Sequence, residues 1–151
     1  MDIDGHRPRR LRRLSQVWLD GGHPVYFLTI CVDGRSPVLN NPVIHGRFLQ
    51  FAEGSPERYG WTVLCYVLMP DHLHLFGRSM SMPTVTLGHW IKAMKAFVGN
   101  RELRWQPSFF DHALRSDESR SKKWEYIRQN PVRAGIVAKP EDWPYWGVDI
   151  G

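Results

Sequence analysis

The sequence has little cysteine, no long apolar run and no internal repeat, and each shortage argues against a class of protein. Only two cysteines occur in 151 residues, Cys31 and Cys65. Both lie in apolar, strand-like runs without metal-type spacing, which argues against a disulfide-stapled secreted scaffold and against a cysteine-bound zinc module. They read as small buried hydrophobes in a reducing compartment. No apolar stretch approaches the roughly 20 residues of a membrane span, and the basic opening lacks the form of a secretory signal, so a soluble, cytoplasmic protein is expected. Acidic residues are in deficit too, 15 against 20 Lys and Arg, for a formal charge of +5.

The length suits one domain with a proper core, and the composition is ordinary for a globular chain apart from seven tryptophans and eleven prolines. The excess positive charge is concentrated: residues 7–13 hold five arginines, Arg7, Arg9, Arg10, Arg12 and Arg13, offset nearby only by Asp2 and Asp4. An arginine arm on a weakly charged body points to a polyanion, most often nucleic acid, because guanidinium groups meet phosphate in bidentate fashion. The blander reading is a solubilising tail. Residues 1–20 are taken as the arm and 21–151 as a single domain.

Residues 25–32 are β-branched and aromatic and predict a strand. Asn40-Asn41-Pro42 has the form of a helix start, with Ile44, Phe48 and Phe51 at helical spacing; Gly54-Ser55-Pro56 weakens or ends the pattern. A second strand over residues 61–69 leads through Pro70-Asp71 into a third in a tight hairpin. After a loop at 79–83, a helix is expected over about 84–102, with Leu87, Ile91, Met94 and Phe97 or Val98 as its apolar stripe, and Lys92 and Lys95 near its polar side, solvated by default with phosphate contact as the second option. Residues 105–110 read as a short extended segment or a loop. A last helix begins at Asp117 or Ser119 and reaches about Asn130, where Pro131 forces a break or a new start, and Gly135 suits a helix end. Residues 140–146 form an aromatic, proline-rich tail that packs across the body. The order β–α–β–β–α–(β)–α predicts an α+β fold, an antiparallel sheet carrying helices on one face.

Two side-chain sets carry chemistry. In the third strand His72 and His74 project together while Leu73 and Leu75 face the other way. Two imidazoles on one strand face can share a metal ion, or can be half-buried histidines bonded to neighbours. On the last helix Tyr126 and Asn130 fall one turn apart, with Lys122 one turn earlier, and Trp124 and Ile127 on a packing stripe. Flanked by Lys122, Lys123, Arg128 and Arg133, Tyr126 is placed to meet a phosphate, although an isolated tyrosine there is more often only amphipathic surface. His6, His23, His45 and His89 lack comparable context and read as structural or solvent-facing.

The run Tyr66-Val67-Leu68-Met69-Pro70-Asp71-His72-Leu73-His74-Leu75, together with Trp124-Glu125-Tyr126-Ile127-Arg128-Gln129-Asn130-Pro131-Val132-Arg133-Ala134-Gly135-Ile136-Val137, resembles the single-tyrosine transposases of the His-hydrophobic-His superfamily. The nearer likeness is to their domesticated bacterial branch, the REP-associated tyrosine transposases. Blocks at Tyr26-Phe27-Leu28-Thr29, at Trp105-Gln106 leading to Phe109-Phe110-Asp111-His112, and at Glu141-Asp142-Trp143-Pro144-Tyr145 agree in the same order. The resemblance implies a ferredoxin-like fold with the histidine pair on a central strand. It also implies His72 and His74 as metal ligands, Tyr126 as nucleophile, and a third ligand at Asn130. Related insertion-sequence enzymes carry glutamine at that place, and asparagine is one methylene shorter, which leaves Gln129 as the alternative. His112 falls in a recurrent family block, near the site or as a structural hydrogen-bonding group.

The chemistry so implied is metal-dependent endonuclease and strand-transferase action on single-stranded DNA, the targets being repetitive extragenic palindromes folded as hairpins. It runs through a 5′-phosphotyrosine with Mg²⁺ or Mn²⁺ as cofactor, and two imidazoles favour Mn²⁺ on ligand preference. DNA contacts are expected from the arm arginines, Lys122 and Arg133. The location implied is the bacterial cytoplasm, at the nucleoid. The branch implies a monomer, while insertion-sequence relatives are dimers that exchange the tyrosine helix. Two other readings compete: a hairpin-DNA-binding module with weak or silent nuclease activity, and a phosphodiesterase or RNA-processing enzyme using water, with Tyr126 structural. No general base is identifiable from the sequence.

Overall fold

The computed structural model describes residues 19–20, 23–80, 83–114 and 116–150. His6 and the arm arginines Arg7, Arg9, Arg10, Arg12 and Arg13 lie outside the described residues. Six strands are described: β1 Leu19–Asp20, β2 His23–Cys31, β3 Trp61–Leu68, β4 His72–Ser79, β5 Phe110–Ala113 and β6 Trp146–Ile150. The helices are α1 Pro42–Tyr59, α2 Leu87–Val98, α3 Asp117–Arg128 and the short α4 Asn130–Arg133. All strand pairings are antiparallel, in the order β1-β2-β4-β3-β6, with β5 also on β2. The path β2–α1–β3–β4–α2–β5 with spatial order β5, β2, β4, β3 is the ferredoxin-like arrangement, extended at the β3 edge by β6. β4, which carries His72 and His74, lies between β2 and β3 at the centre of the sheet.

Strand alternation sorts the core into two halves. Leu28, Ile30, Leu73, Leu75, Tyr66 and Leu68 pack under α1 and α2 with Phe48, Trp90 and Met94. Phe27, Phe76, Val67 and Met69 face the other way, where Ile127 and Trp124 of α3 and Trp143 of the tail cover them. A bulge between Val63 and Cys65 resets the alternation of β3, so that neighbouring Leu64 and Cys65 both join this second half.

Local chemistry explains the helix limits. Asn41 caps α1 by accepting from the Val43 and Ile44 amides, with Pro42 in the first turn. The expected break at Gly54-Ser55-Pro56 does not occur; α1 runs to Tyr59 and ends at Gly60, whose φ of 74° suits glycine. Packing overrides the local signal there. Buried Ser55 donates to the Phe51 carbonyl and accepts from the Trp90 indole at 3.0 Å. α2 is shorter than expected; Trp90, Ile91, Met94 and Val98 form its buried stripe, while Phe97 is exposed. Lys95, expected in solvent, is half-buried, its Nζ donating to the Gln106 carbonyl at 2.7 Å. The aromatic tail does pack across the body: Trp143 is buried and donates to the Leu68 carbonyl, and beyond it β6 pairs with β3.

Candidate active site

Pro70 and Asp71 form the hairpin loop between β3 and β4, closed by the Met69 amide on the His72 carbonyl. The loop is gripped from the side. The Val32 amide donates to Asp71 O and the Leu39 amide to Pro70 O, which ties it to the turn containing Asp33–Arg35. Arg35 holds a φ of 56°, uncommon for a residue with a side chain, and its Nε lies 3.0 Å from Asp71 Oδ2. Asp71 Oδ1 in turn lies 2.7 Å from His72 Nδ1. Burial pushes the Asp71 carboxyl up, but the hydrogen bonds and charges of His72 and Arg35 outweigh it and hold the carboxyl below its usual range.

The rings of His72 and His74 stand 4.7 Å apart, nearly perpendicular. His74 Nδ1 lies 3.0 Å from Thr29 Oγ1, and its ring stacks on Phe27 at 5.2 Å. Burial, then the positive charges of His72, Lys123 and Arg133, push the His74 pKa down to about 3, so the ring stays neutral. With Nδ1 engaged on both rings, each Nε2 is left as the donor atom for a metal, the arrangement in which an outer partner fixes tautomer and orientation. Among the described residues no cluster of three His, Cys, Asp or Glu side chains has metal-holding geometry. The pair therefore suits a divalent ion only if an amide oxygen, substrate or water completes the set.

α3 begins at Ser116, whose Oγ accepts from the Ser119 amide, and ends at Arg128. Ile127 is buried and Trp124 meets Phe76 edge-on, as the expected packing stripe requires. Lys123 Nζ stands 5.0 Å over the Phe27 ring, so α3 lies against the sheet face that bears the histidines. Tyr126 is 61% exposed and borders an open groove of about 670 Å³ shared with His112, Leu114, Ser119, Lys122 and Lys123. Asn130 does not continue α3; it opens α4 after Gln129, with Pro131 in the first turn and Gly135 at φ 75° just beyond. Arg133 joins the two parts. Its guanidinium lies 3.8 Å over the Tyr126 ring and donates to Asn130 Oδ1.

Most of the expected residues thus lie about one sheet face, His72 and His74 on β4, with Lys122, Tyr126, Asn130 and Arg133 on the helical segment across it. Asn130 Oδ1 accepts from Arg133, which leaves its second lone pair for a metal. His112 lines the tyrosine groove and pairs across β5 with Phe27. The Arg35–Asp71 support was not read from the sequence, although Asp71 beside His72 was a signal for it. His45 proves structural, its Nε2 2.6 Å from the hydroxyl of buried Tyr66.

Fold and site together define an antiparallel α+β domain with a paired-histidine strand faced by a tyrosine-bearing, cationic helix. No family model matches the chain. It is similar to a Haemophilus influenzae protein assigned to the REP-associated tyrosine transposases, 27% identical over 140 residues, covering 80% of this chain and 77% of the relative. A REP-associated tyrosine transposase of Escherichia coli K12 is 30% identical over 82 residues, covering 53% of this chain and 50% of the relative. Among solved structures, a REP-associated tyrosine transposase bound to a REP hairpin superposes with a TM-score of 0.66 at 22% identity, covering 82% of this chain and 75% of that one. A Deinococcus radiodurans structure classed as a transposase gives 0.52 at 20% identity, covering 74% and 92%. The chain is thus similar in sequence to proteins named as REP-associated tyrosine transposases, the family its motifs resemble. Among the described residues no helix is long and apolar enough to cross a membrane.

Proposed function

We propose that this chain is a tyrosine transposase-type nuclease that binds palindromic hairpin DNA and cuts and rejoins a flanking single strand with Mg²⁺ or Mn²⁺. The supporting observation is the placement of α3 and α4, with Tyr126, Lys122, Lys123 and Arg133, across the sheet face that carries His72 and His74. His72, His74 and Asn130 would hold the ion, which when bound polarises the phosphate and stabilises the leaving oxygen.

The chain's own groups do the rest. Lys122, Lys123 and Arg133 set a positive field at the groove, which attracts the strand and offsets its charge. Tyr126 Oη gives up its proton and bonds to phosphorus, the bond from phosphorus to the 3′ oxygen breaks, and that oxygen leaves as a 3′ hydroxyl after taking a proton. The downstream strand stays joined to Tyr126 through its 5′ phosphate. Attack by the 3′ hydroxyl of another strand reverses the step, so rejoining needs no outside energy source.

A panel of single-stranded hairpins with flanks, incubated with Mn²⁺, Mg²⁺ or chelator and run on a denaturing gel, tests the reading. Cleavage of one hairpin class with metal alone is expected. His72→Ala and His74→Ala should abolish it with hairpin affinity little changed, because phosphate and base contacts dominate binding. Equal cleavage in excess chelator would overturn the metal assignment. Binding without cleavage under every condition would favour the silent hairpin-binding module.

A further inference from the structure

Strand pairing places an exposed aromatic ring in the row of the histidine site. Thr29 of β2 pairs with His74 on one side and with Phe110 of β5 on the other. Cross-strand partners share a sheet face, so His74, Thr29 and Phe110 form one transverse row on the side facing α3. The Thr29 hydroxyl bonds to His74 within that row, 3.0 Å from its Nδ1. Phe110 stands two strand spacings, about 10 Å, from His74.

Phe110 is 55% exposed, whereas its neighbour Phe109 packs against the core beneath α1 and α2. Leaving a phenylalanine half exposed beside a packed one forgoes apolar burial. Its surroundings do not suit an apolar protein partner. His112, two residues along the same face of β5, lines the Tyr126 groove with Lys122 and Lys123. An aromatic face beside lysines matches a nucleobase flanked by phosphates.

We propose that Phe110 is a stacking platform for one unpaired base of the DNA strand, within a nucleotide or so of the scissile phosphate, and that it fixes the strand's position over the histidine pair. This rests on the single-stranded DNA reading above. Stacking tolerates any base, so Phe110 sets where the strand sits while its neighbours set which sequence is preferred.

Single-stranded hairpin oligonucleotides carrying 2-aminopurine at successive flanking positions test it with the full chain. Wild type should quench the fluorescence at one flanking position, and Phe110→Ala should abolish that quenching and weaken binding of the flanked hairpin roughly tenfold. Phe110→Trp should keep both effects. Phe110→Leu, which retains apolar bulk without a π face, should behave as the alanine variant. Unchanged quenching and affinity in Phe110→Ala would overturn the stacking role while leaving the DNA reading intact. Failure of wild type to bind any flanked hairpin would overturn both.

Discussion

The guanidinium of Arg133 lies over the ring of Tyr126, 3.8 Å from carbon to centroid, and donates to Asn130 at the start of its own helix, α4. One side chain thus ties the proposed nucleophile to the proposed third ligand across the break at Gln129. Arg133→Lys keeps the charge but loses the planar guanidinium and its fork of donors. If Arg133 orients Tyr126, both Arg133→Lys and Arg133→Ala should slow cleavage, by up to about a hundredfold, since small misplacements of reacting groups are that costly. Single-turnover kinetics beside hairpin affinity would show it. Wild-type cleavage by the lysine variant would reduce Arg133 to a positive charge.

The chain from Arg35 through Asp71 to His72 makes a separate prediction. Outer partners of this kind typically contribute 10–100-fold to metal affinity. Arg35→Ala and Asp71→Asn should weaken Mn²⁺ binding over about that range, read by electron paramagnetic resonance of the free ion without any DNA. Undiminished affinity in both variants would remove the pair from the site.

His74 is held neutral, with a pKa of about 3 against an ordinary 6.5. Burial is the main cause, and the lysine and arginine across from it add to the effect. Because the folded value is depressed, its contribution to stability is present in full above 6.5 and is lost as pH falls from there towards 3. Urea titrations of the metal-free protein should show declining stability across that window, with a smaller decline in His74→Leu. Ring resonances should show His74 uncharged down to about pH 4. A midpoint near the ordinary value would contradict the account.

Core packing predicts a steric failure at Gly77. An added Cβ there would sit 2.8 Å from the Trp90 ring, which stacks on Trp61 at 5.2 Å and bonds to Ser55. Gly77→Ala should cost about 1–3 kcal/mol in denaturant unfolding, as overpacking usually does. A neutral result would mean that the Trp90 ring can shift at no cost.

How much of this was legible follows from where the information resides. The faces of β4 could be read because alternation is a local rule, and His72 and Leu73 obey it. The cap at Asn41 and the break before Pro131 are equally local. The survival of α1 through Pro56 was not legible, because its cause is Trp90, far along the chain and tucked against Ser55. Lys95 was misplaced for the same reason, its carbonyl acceptor lying beyond its own helix. Within the site, alternation put His72 and His74 on one face, while Tyr126 was singled out by the family resemblance and not by its spacing. The roles of Arg35 and Thr29 depend on a turn with positive φ and on strand register, which only the folded chain displays.

The central claim is that Tyr126 attacks phosphorus. The most direct measurement is denaturing electrophoresis of a labelled flanked hairpin incubated with protein and Mn²⁺, followed by peptide mapping of any protein–DNA species. Wild type should give a denaturant-resistant adduct carrying the downstream fragment through its 5′ phosphate, mapping to the peptide that holds Tyr126. Tyr126→Phe loses a single oxygen from an exposed ring, so it should fold and bind the hairpin normally while giving neither adduct nor cut. An adduct mapped to another tyrosine, or cleavage by the phenylalanine variant at the wild-type rate, would contradict the claim.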